Sequence, residues 1–447
     1  MATPKRSLDV VSATTLVAAS MIGVGVYTTS GFTLTALGSP ERVVAAWIVG
    51  GLIAICGAIG YASLAAKFTE SGGEYLFLRK TLHPVAGLMA GWVSLLAGFT
   101  GAIAIAAIGL EKYFPPLINE TTLPEGSIAI ATVFLAATLH TIGVRSAARI
   151  QDAFVVVKLL MITGFIIFAW TQFGNWAGLI ETDATTLAGE GDSASSAYLD
   201  FANQLVWISF SYAGFNAAVY ISGEIKDPGR NVPLALVGGT VLVTLIYVLL
   251  NIIFVYAPTV GEITQSEESQ VQIAATAANA IGGSSFASFV RFVIVISLFT
   301  SVSALVMTGP RVYAKMADDG CLPRWFRFDN RPPVQAIWFQ ASIAAIAISF
   351  TSLKELLGYL GLTLSLCSAL TVSMLFLLRL KGDSIKLIGF GIPAAFYVIA
   401  TLLLAVLYGI RSPNQAMAAG LTVLLGLILY PVLRNRISTP DSSHQDA

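Results

Sequence analysis

Long apolar runs recur twelve times along the 447-residue chain, near 10–36, 43–66, 84–110, 127–143, 151–171, 199–222, 233–257, 286–314, 334–350, 355–378, 390–409 and 416–433. A helix of about 20 such residues crosses the hydrocarbon of a bilayer. Charged residues make up only 11% of the chain, less than half of the roughly 25% found in an average soluble domain. The predicted class is an all-α integral membrane protein with twelve transmembrane helices, its immediate partner the lipid bilayer. A soluble enzyme is excluded. The formal net charge is zero, which speaks against a nucleic-acid partner, because a phosphate backbone demands a basic face.

Basic residues orient these spans. With the N-terminus inside, nineteen Lys and Arg fall in the cytoplasm, among them Lys5, Arg6, Arg79, Lys80, Arg145, Arg327 and Arg436. Only Arg42, Lys112, Arg291, Lys354 and Arg411 fall outside, and Lys158 lies within the fifth span. That bias follows the positive-inside rule and predicts a multi-pass protein of the cell (inner) membrane with both termini cytoplasmic. The outer loop from Gln172 to Ser196 carries Glu181, Asp183, Glu190 and Asp192 but no basic residue. No small-residue cleavage pattern follows the first apolar run, so a cleaved signal peptide is not expected. The polar tail over 437–447 is expected to be disordered. The Ala-rich outer segment from Gln270 to Ile281 is too short to span and is expected to form a surface helix.

Two spans contain what a lipid-facing helix avoids. The first reads Ser20-Met21-Ile22-Gly23-Val24-Gly25-Val26-Tyr27, and the sixth reads Phe210-Ser211-Tyr212-Ala213-Gly214-Phe215-Asn216. Glycine weakens a helix by about 1 kcal/mol relative to alanine. Freed backbone groups survive in a membrane only where protein covers them or a wet cavity receives them. Opened helices offer amides to an anion and carbonyls to a cation, a pairing that suits a zwitterion. Close packing between helices explains one glycine pair equally well. Two breaks, each opening a five-helix half, favour an inverted repeat with halves of about 8–172 and 199–380, followed by two helices over about 390–433.

Four stretches then carry a family resemblance. They are Ile22–Tyr27, the loop Glu70-Ser71-Gly72-Gly73-Glu74-Tyr75 with Leu78-Arg79, the sixth-span break running into Glu224–Pro228 and Asn231–Pro233, and Arg311–Pro323. Together and in this order, the chain resembles the amino acid–polyamine–organocation (APC) superfamily of permeases, with features of its L-type branch in the sixth helix. The resemblance implies a LeuT-type five-plus-five inverted repeat with helices one and six broken. It implies an α-carboxylate held by amides around Gly23, Val24 and Gly25, beside Met21 and Ile22. It implies an α-ammonium held by carbonyls around Phe210, Ser211 and Ala213, with Gly214 and Asn216 next to it and Phe210 as an aromatic lid. Asn216 stands where several branches have an acid, which disfavours a doubly cationic substrate.

Lys158 is the residue most at odds with its surroundings, since an ammonium at mid-bilayer costs ~2.5–3.5 kcal/mol on insertion scales. Snorkelling to the cytoplasmic end is the ordinary explanation. The resemblance instead sets Lys158 against the first break, where other members bind sodium, as a proton site or a permanent substitute for that ion. Thr300 and Ser301, with Ser297 and Ser303, lie where the family supplies hydroxyls to that site, although helix hydroxyls also bond back to their own carbonyls. Glu74, Glu224, Lys226 and Asp227 fit either an inner gate reaching Arg79 or a solvated cluster. Trp92 and Tyr359 read as packing.

Cys56, Cys321 and Cys367 are too widely spaced for a metal or disulfide framework. His83, His140 and His444 are scattered, and no catalytic constellation or phosphate loop can be assembled from these residues. No cofactor is expected. The resulting expectation is a secondary transporter of amino acids, neutral ones favoured, working by alternating access and coupled to protons through Lys158. The alternatives are an ion-independent exchanger and, from another class, a non-transporting membrane sensor.

Overall fold

Apolar runs in lipid leave backbone amides and carbonyls no water to bond, so they must pair within their own segment, and helix results. The computed structural model describes residues 6, 8–115, 123–142, 147–180, 194–318, 320, 322, 323, 326 and 334–437. Lys5, Arg145, most of the Gln172–Ser196 loop with its four acids, Cys321, Arg327 and the tail with His444 lie outside them.

The chain opens with α1 (Val10–Met21) and α2 (Val24–Leu37), set at 42° to each other. Helix α3 (Pro40–Lys67) starts behind a Ser39 cap whose side chain accepts from the Arg42 amide. A short α4 (Gly73–Thr81) leads into α5 (Pro84–Tyr113), which relaxes into a π-helical stretch over Ser94–Gly101. Then follow α6 (Ser127–Thr141), α7 (Ala147–Thr171) and α8 (Ala194–Ser211), and a 3-10 segment over Ala217–Glu224. The remaining long helices are α9 (Pro228–Tyr256), α10 (Ile273–Asp318), α11 (Val334–Phe350), α12 (Leu353–Leu380), α13 (Ile392–Arg411) and α14 (Pro413–Ile437), with helices of eight residues or fewer in the connections.

Each apolar run is mostly helical over its described residues, with the first and sixth interrupted. Among the described residues, six helices are long and apolar enough to cross a membrane, seven if α1 and α2 count as one broken span. Four further apolar helical stretches, Ser127–Thr141, Val155–Thr171, Val334–Phe350 and Pro413–Ile428, are shorter, at 10–17 residues. The described residues are thus those of an all-helical, multi-pass membrane protein with six or seven helices of spanning length and hydropathy.

Gly283 (φ 74°, ψ −176°) interrupts α10 and separates its first turns from the span that follows. Those turns lie in the segment expected to be a surface helix, and they are indeed helical. They are not superficial, however: Ala274, Ala275, Ala277 and Ala278 are buried, because small side chains let this piece settle among its neighbours. Leu8 and Ile225 form an isolated parallel bridge that ties the chain ahead of α1 to the chain after the 3-10 segment.

Candidate functional site

At the first break, Ile22 (φ −74°, ψ 96°) and Gly23 (φ −135°, ψ −157°) are extended between two helices. No side chain caps α2, so the amides of its first turn have no intrahelical acceptor and form the positive end of a helix dipole. Met21, Ile22, Val24 and Gly25 are buried, while Gly23 is half-buried and Ser20 exposed. A Cβ on Gly23 would meet nothing nearer than the Met21 carbonyl oxygen at 4.0 Å. Space opens beside Gly23.

At the sixth-span break, α8 ends at Ser211, residues 212–216 turn, and the chain resumes as 3-10 helix with Ile221 outside helical geometry. Gly214 adopts φ +100°, where a side chain would be strained, and a Cβ there would lie 2.7 Å from the Ser20 carbonyl oxygen. A Cβ on Gly25 would lie 2.8 Å from the Ser211 Cβ. The two breaks therefore touch along Gly25–Ser211 and Ser20–Gly214. Phe210, Ala213, Gly214 and Asn216 are left half-buried.

Tyr247 of α9 pins the two together, its hydroxyl lying 2.6 Å from the Met21 carbonyl oxygen and 3.0 Å from that of Ser211. Sequence inspection missed it, because a tyrosine in an apolar span carries no sign of a partner 226 residues away. Around α2, Trp47 donates to Ser30 at 2.8 Å, Ser30 donates to Asn251, and Thr33 donates to Gln204 at 3.1 Å. These bonds explain how a helix as polar as α2 stays buried.

Lys158 is 6% exposed, and its Nζ donates to the Ile22 carbonyl at the first break. It does not snorkel. Thr300 and Ser301 both donate to the Ser297 carbonyl of their own helix, at 2.7 and 3.1 Å, and Ser303 meets His140 Nε2 at 2.8 Å. Of the carbonyls expected to hold an ammonium, that of Phe210 accepts from the Ala213 amide at 2.9 Å and that of Ser211 accepts from Tyr247. Asn216 turns its amide toward Glu74, 3.1 Å away.

Glu74 itself is 4% exposed, whereas Glu224, Lys226 and Asp227 are exposed as a solvated cluster would be. Arg79 donates to the Tyr75 hydroxyl at 2.7 Å. Trp92 donates to the Thr422 carbonyl at 3.0 Å and the Tyr359 hydroxyl lies 2.8 Å from that of Thr422, so both pack α14 into place.

The site is thus two interrupted helices with a buried cation on one side and a buried carboxyl on the other. Residues 8–432 match the family model for amino acid permeases. The chain belongs to the amino acid permease family. Membership carries the LeuT-type membrane fold and amino acid transport as its activity. The permease is 26% identical to the serine/threonine exchanger SteT of Bacillus subtilis over 448 residues, covering 96% of each chain. It is 27% identical to the human large neutral amino acids transporter small subunit 2 over 390 residues, covering 85% of this chain and 71% of that one. It is 24% identical to the human b(0,+)-type amino acid transporter 1 over 442 residues, covering 95% and 87%. These relatives are transporters, not enzymes.

Proposed function

We propose that this permease exchanges neutral amino acids across the cytoplasmic membrane by alternating access. The observation that carries this is the open space at Gly23, bordered by uncapped amides on one helix and by half-buried Phe210, Ala213, Gly214 and Asn216 on the other. Gly23, Val24 and Gly25, beside Met21 and Ile22, hold the α-carboxylate through backbone amides. Phe210, Ser211 and Ala213 hold the α-ammonium through carbonyls, and Phe210 closes over the bound molecule. Two five-helix halves, 8–172 and 199–380, and two further helices over 390–433 make twelve spans with both termini in the cytoplasm.

A neutral substrate is supported by the amide of Asn216 and by Glu74 already being occupied with donors. Exchange is supported by the relative named as an exchanger, which the chain matches over 96% of its length. There Lys158 serves as a fixed cation that braces the Ile22 carbonyl. The second reading is proton symport, with Lys158 carrying the proton. Its position, bonded to the Ile22 carbonyl at the break where substrate would sit, favours this. Thr300 and Ser301 lend lone pairs to the same region in either mode.

Purified protein in liposomes, scanned with radiolabelled amino acids, decides among these. Exchange requires uptake only into vesicles preloaded with amino acid. Accumulation in empty vesicles under an acid-outside gradient establishes symport instead. Uptake of none of the amino acids overturns both.

A further inference from the structure

The Ser71-Gly72-Gly73-Glu74 turn has a geometry that transport between the two breaks does not explain. Gly72 sits at φ +145° and Gly73 at φ +57°, and a Cβ on Gly73 would lie 2.4 Å from the Tyr220 ring. Only glycine tolerates that backbone so close to an aromatic ring. The result is to drive Glu74, at the start of α4, into a ring of donors drawn from three other elements. Tyr61 of α3 donates at 2.5 Å, Ser368 of α12 at 3.1 Å, Asn216 at 3.1 Å and Tyr220 of the 3-10 segment at 3.3 Å, with the Cys367 thiol at 3.8 Å.

Among the described residues, no Lys or Arg is bonded to this carboxyl. The titratable groups facing it are Tyr61, Tyr220 and Cys367, with Tyr397 of α13 one layer further out. Charged neighbours on the packed elements point elsewhere: Lys67 to Asp383, Lys80 to Glu70, Arg79 to Tyr75 and Lys381 to the Thr81 carbonyl. His83, at the head of α5, caps its own helix.

A set of donors suits an ionised carboxylate. Three of them are hydroxyls, which rotate to accept when the carboxyl carries a proton, so the ring receives either form. The 3-10 segment that leans on it has weaker internal hydrogen bonds than an α-helix and depends on such outside contacts. One of the others runs from the Gly223 amide to the Ser71 hydroxyl at 2.9 Å.

We propose that Glu74 is a proton-binding latch on the cytoplasmic face, on which the inner half of the sixth span docks through Asn216 and Tyr220 and from which it undocks when that face opens. This rests on the transport cycle and orientation proposed above. Helix α4 lies between spans, and burial pushes the Glu74 carboxyl above the usual carboxylate range, partly offset by the bonds from Tyr61, Ser368, Tyr220 and Cys367. Undocking hydrates the carboxyl and returns it to its ordinary range. The docked state therefore binds the proton more tightly, and by linkage acid on that face holds the latch shut.

The test uses oriented proteoliposomes and whichever scanned amino acid the parent exchanges fastest. At constant outer pH, exchange should slow as the pH of the cytoplasmic face falls from about 8 to about 5, through a raised carboxyl range. Glu74→Gln should be flat in that variable. Ser368→Ala and Cys367→Ala each remove a donor on α12 that favours the ionised form and takes no part in docking, so each should move the midpoint up, Ser368→Ala by about one pH unit and Cys367→Ala by less. If Glu74→Gln does not accumulate, those two midpoints decide. A parent without cytoplasmic-face dependence, a Glu74→Gln variant with the parent's profile, or downward midpoints overturn the latch while leaving exchange intact. Dependence confined to the opposite face overturns the orientation, and with it the assigned side. A parent that exchanges nothing overturns the transport reading and the latch together.

Discussion

The first span breaks over two extended residues and resumes as a regular α-helix, whereas the sixth passes through a five-residue turn into 3-10 helix. A buried cation, Lys158, braces the first by a bond to the Ile22 carbonyl. A buried carboxyl braces the second through the Asn216 amide and the Tyr220 hydroxyl. Each charge complements backbone or side-chain dipoles of the opposite sense rather than an opposite ion. Among the described residues, the cation makes a single hydrogen bond and the carboxyl is met by a ring of donors, so Lys158 holds its break by one contact and Glu74 holds its by several. Among the described residues, Tyr247 is the one side chain whose hydroxyl reaches carbonyls of both.

The glycines show the same contrast within one stretch, and substitution there has the largest expected effect. Gly25 is packed against Ser211, so Gly25→Val must push the two breaks apart, at a cost of about 3 kcal/mol. Thermal unfolding of the purified variant should show a large loss of stability or no folded protein. Gly23→Val adds its atoms to open space instead, and should unfold like the parent while losing substrate binding. Equal stability of the two variants would erase the distinction between a packing glycine and a site glycine.

Lys158→Ala comes next. Losing a charged donor from a buried carbonyl should slow exchange about tenfold or more, with the variant still folded. If the residual rate loses the parent's response to outer pH, the proton-carrying role gains; if the response is kept, the fixed-cation role stands. An unchanged rate would remove Lys158 from the mechanism. Tyr247→Phe should be milder. It withdraws one O–H donor shared between two carbonyls, lowering stability by about 1 kcal/mol in a denaturation measured without substrate. No loss would show that the breaks are held together by glycine contact alone.

Much of this was legible in the sequence, and for a physical reason. Span positions follow from apolar runs, and both breaks follow from glycines and polar residues set where lipid forbids them, at Ile22–Gly25 and Phe210–Asn216. Lys158 stood out because a charge in a span demands a partner, and Ile22 proved to be it. What stayed hidden are pairings between residues far apart in the chain. Nothing in an apolar run marks Tyr247 as the partner of Met21 and Ser211. Glu74 looked like one charge in a polar loop until two left-handed glycines turned it inward. The helix hydroxyls of Thr300 and Ser301 bond back to Ser297, a local choice that residue type alone does not decide.

In the proposed transport cycle, the two breaks hold the two charged ends of one amino acid. The most direct measurement is competition for binding of a transported neutral amino acid to detergent-solubilised protein. The competitors are its methyl ester, which lacks the carboxylate, and its N-acetyl derivative, which lacks the ammonium. Both should fail to compete at concentrations where the parent amino acid displaces the label completely, because each leaves one break without its ion. Displacement by either derivative at the parent amino acid's own affinity would contradict the account.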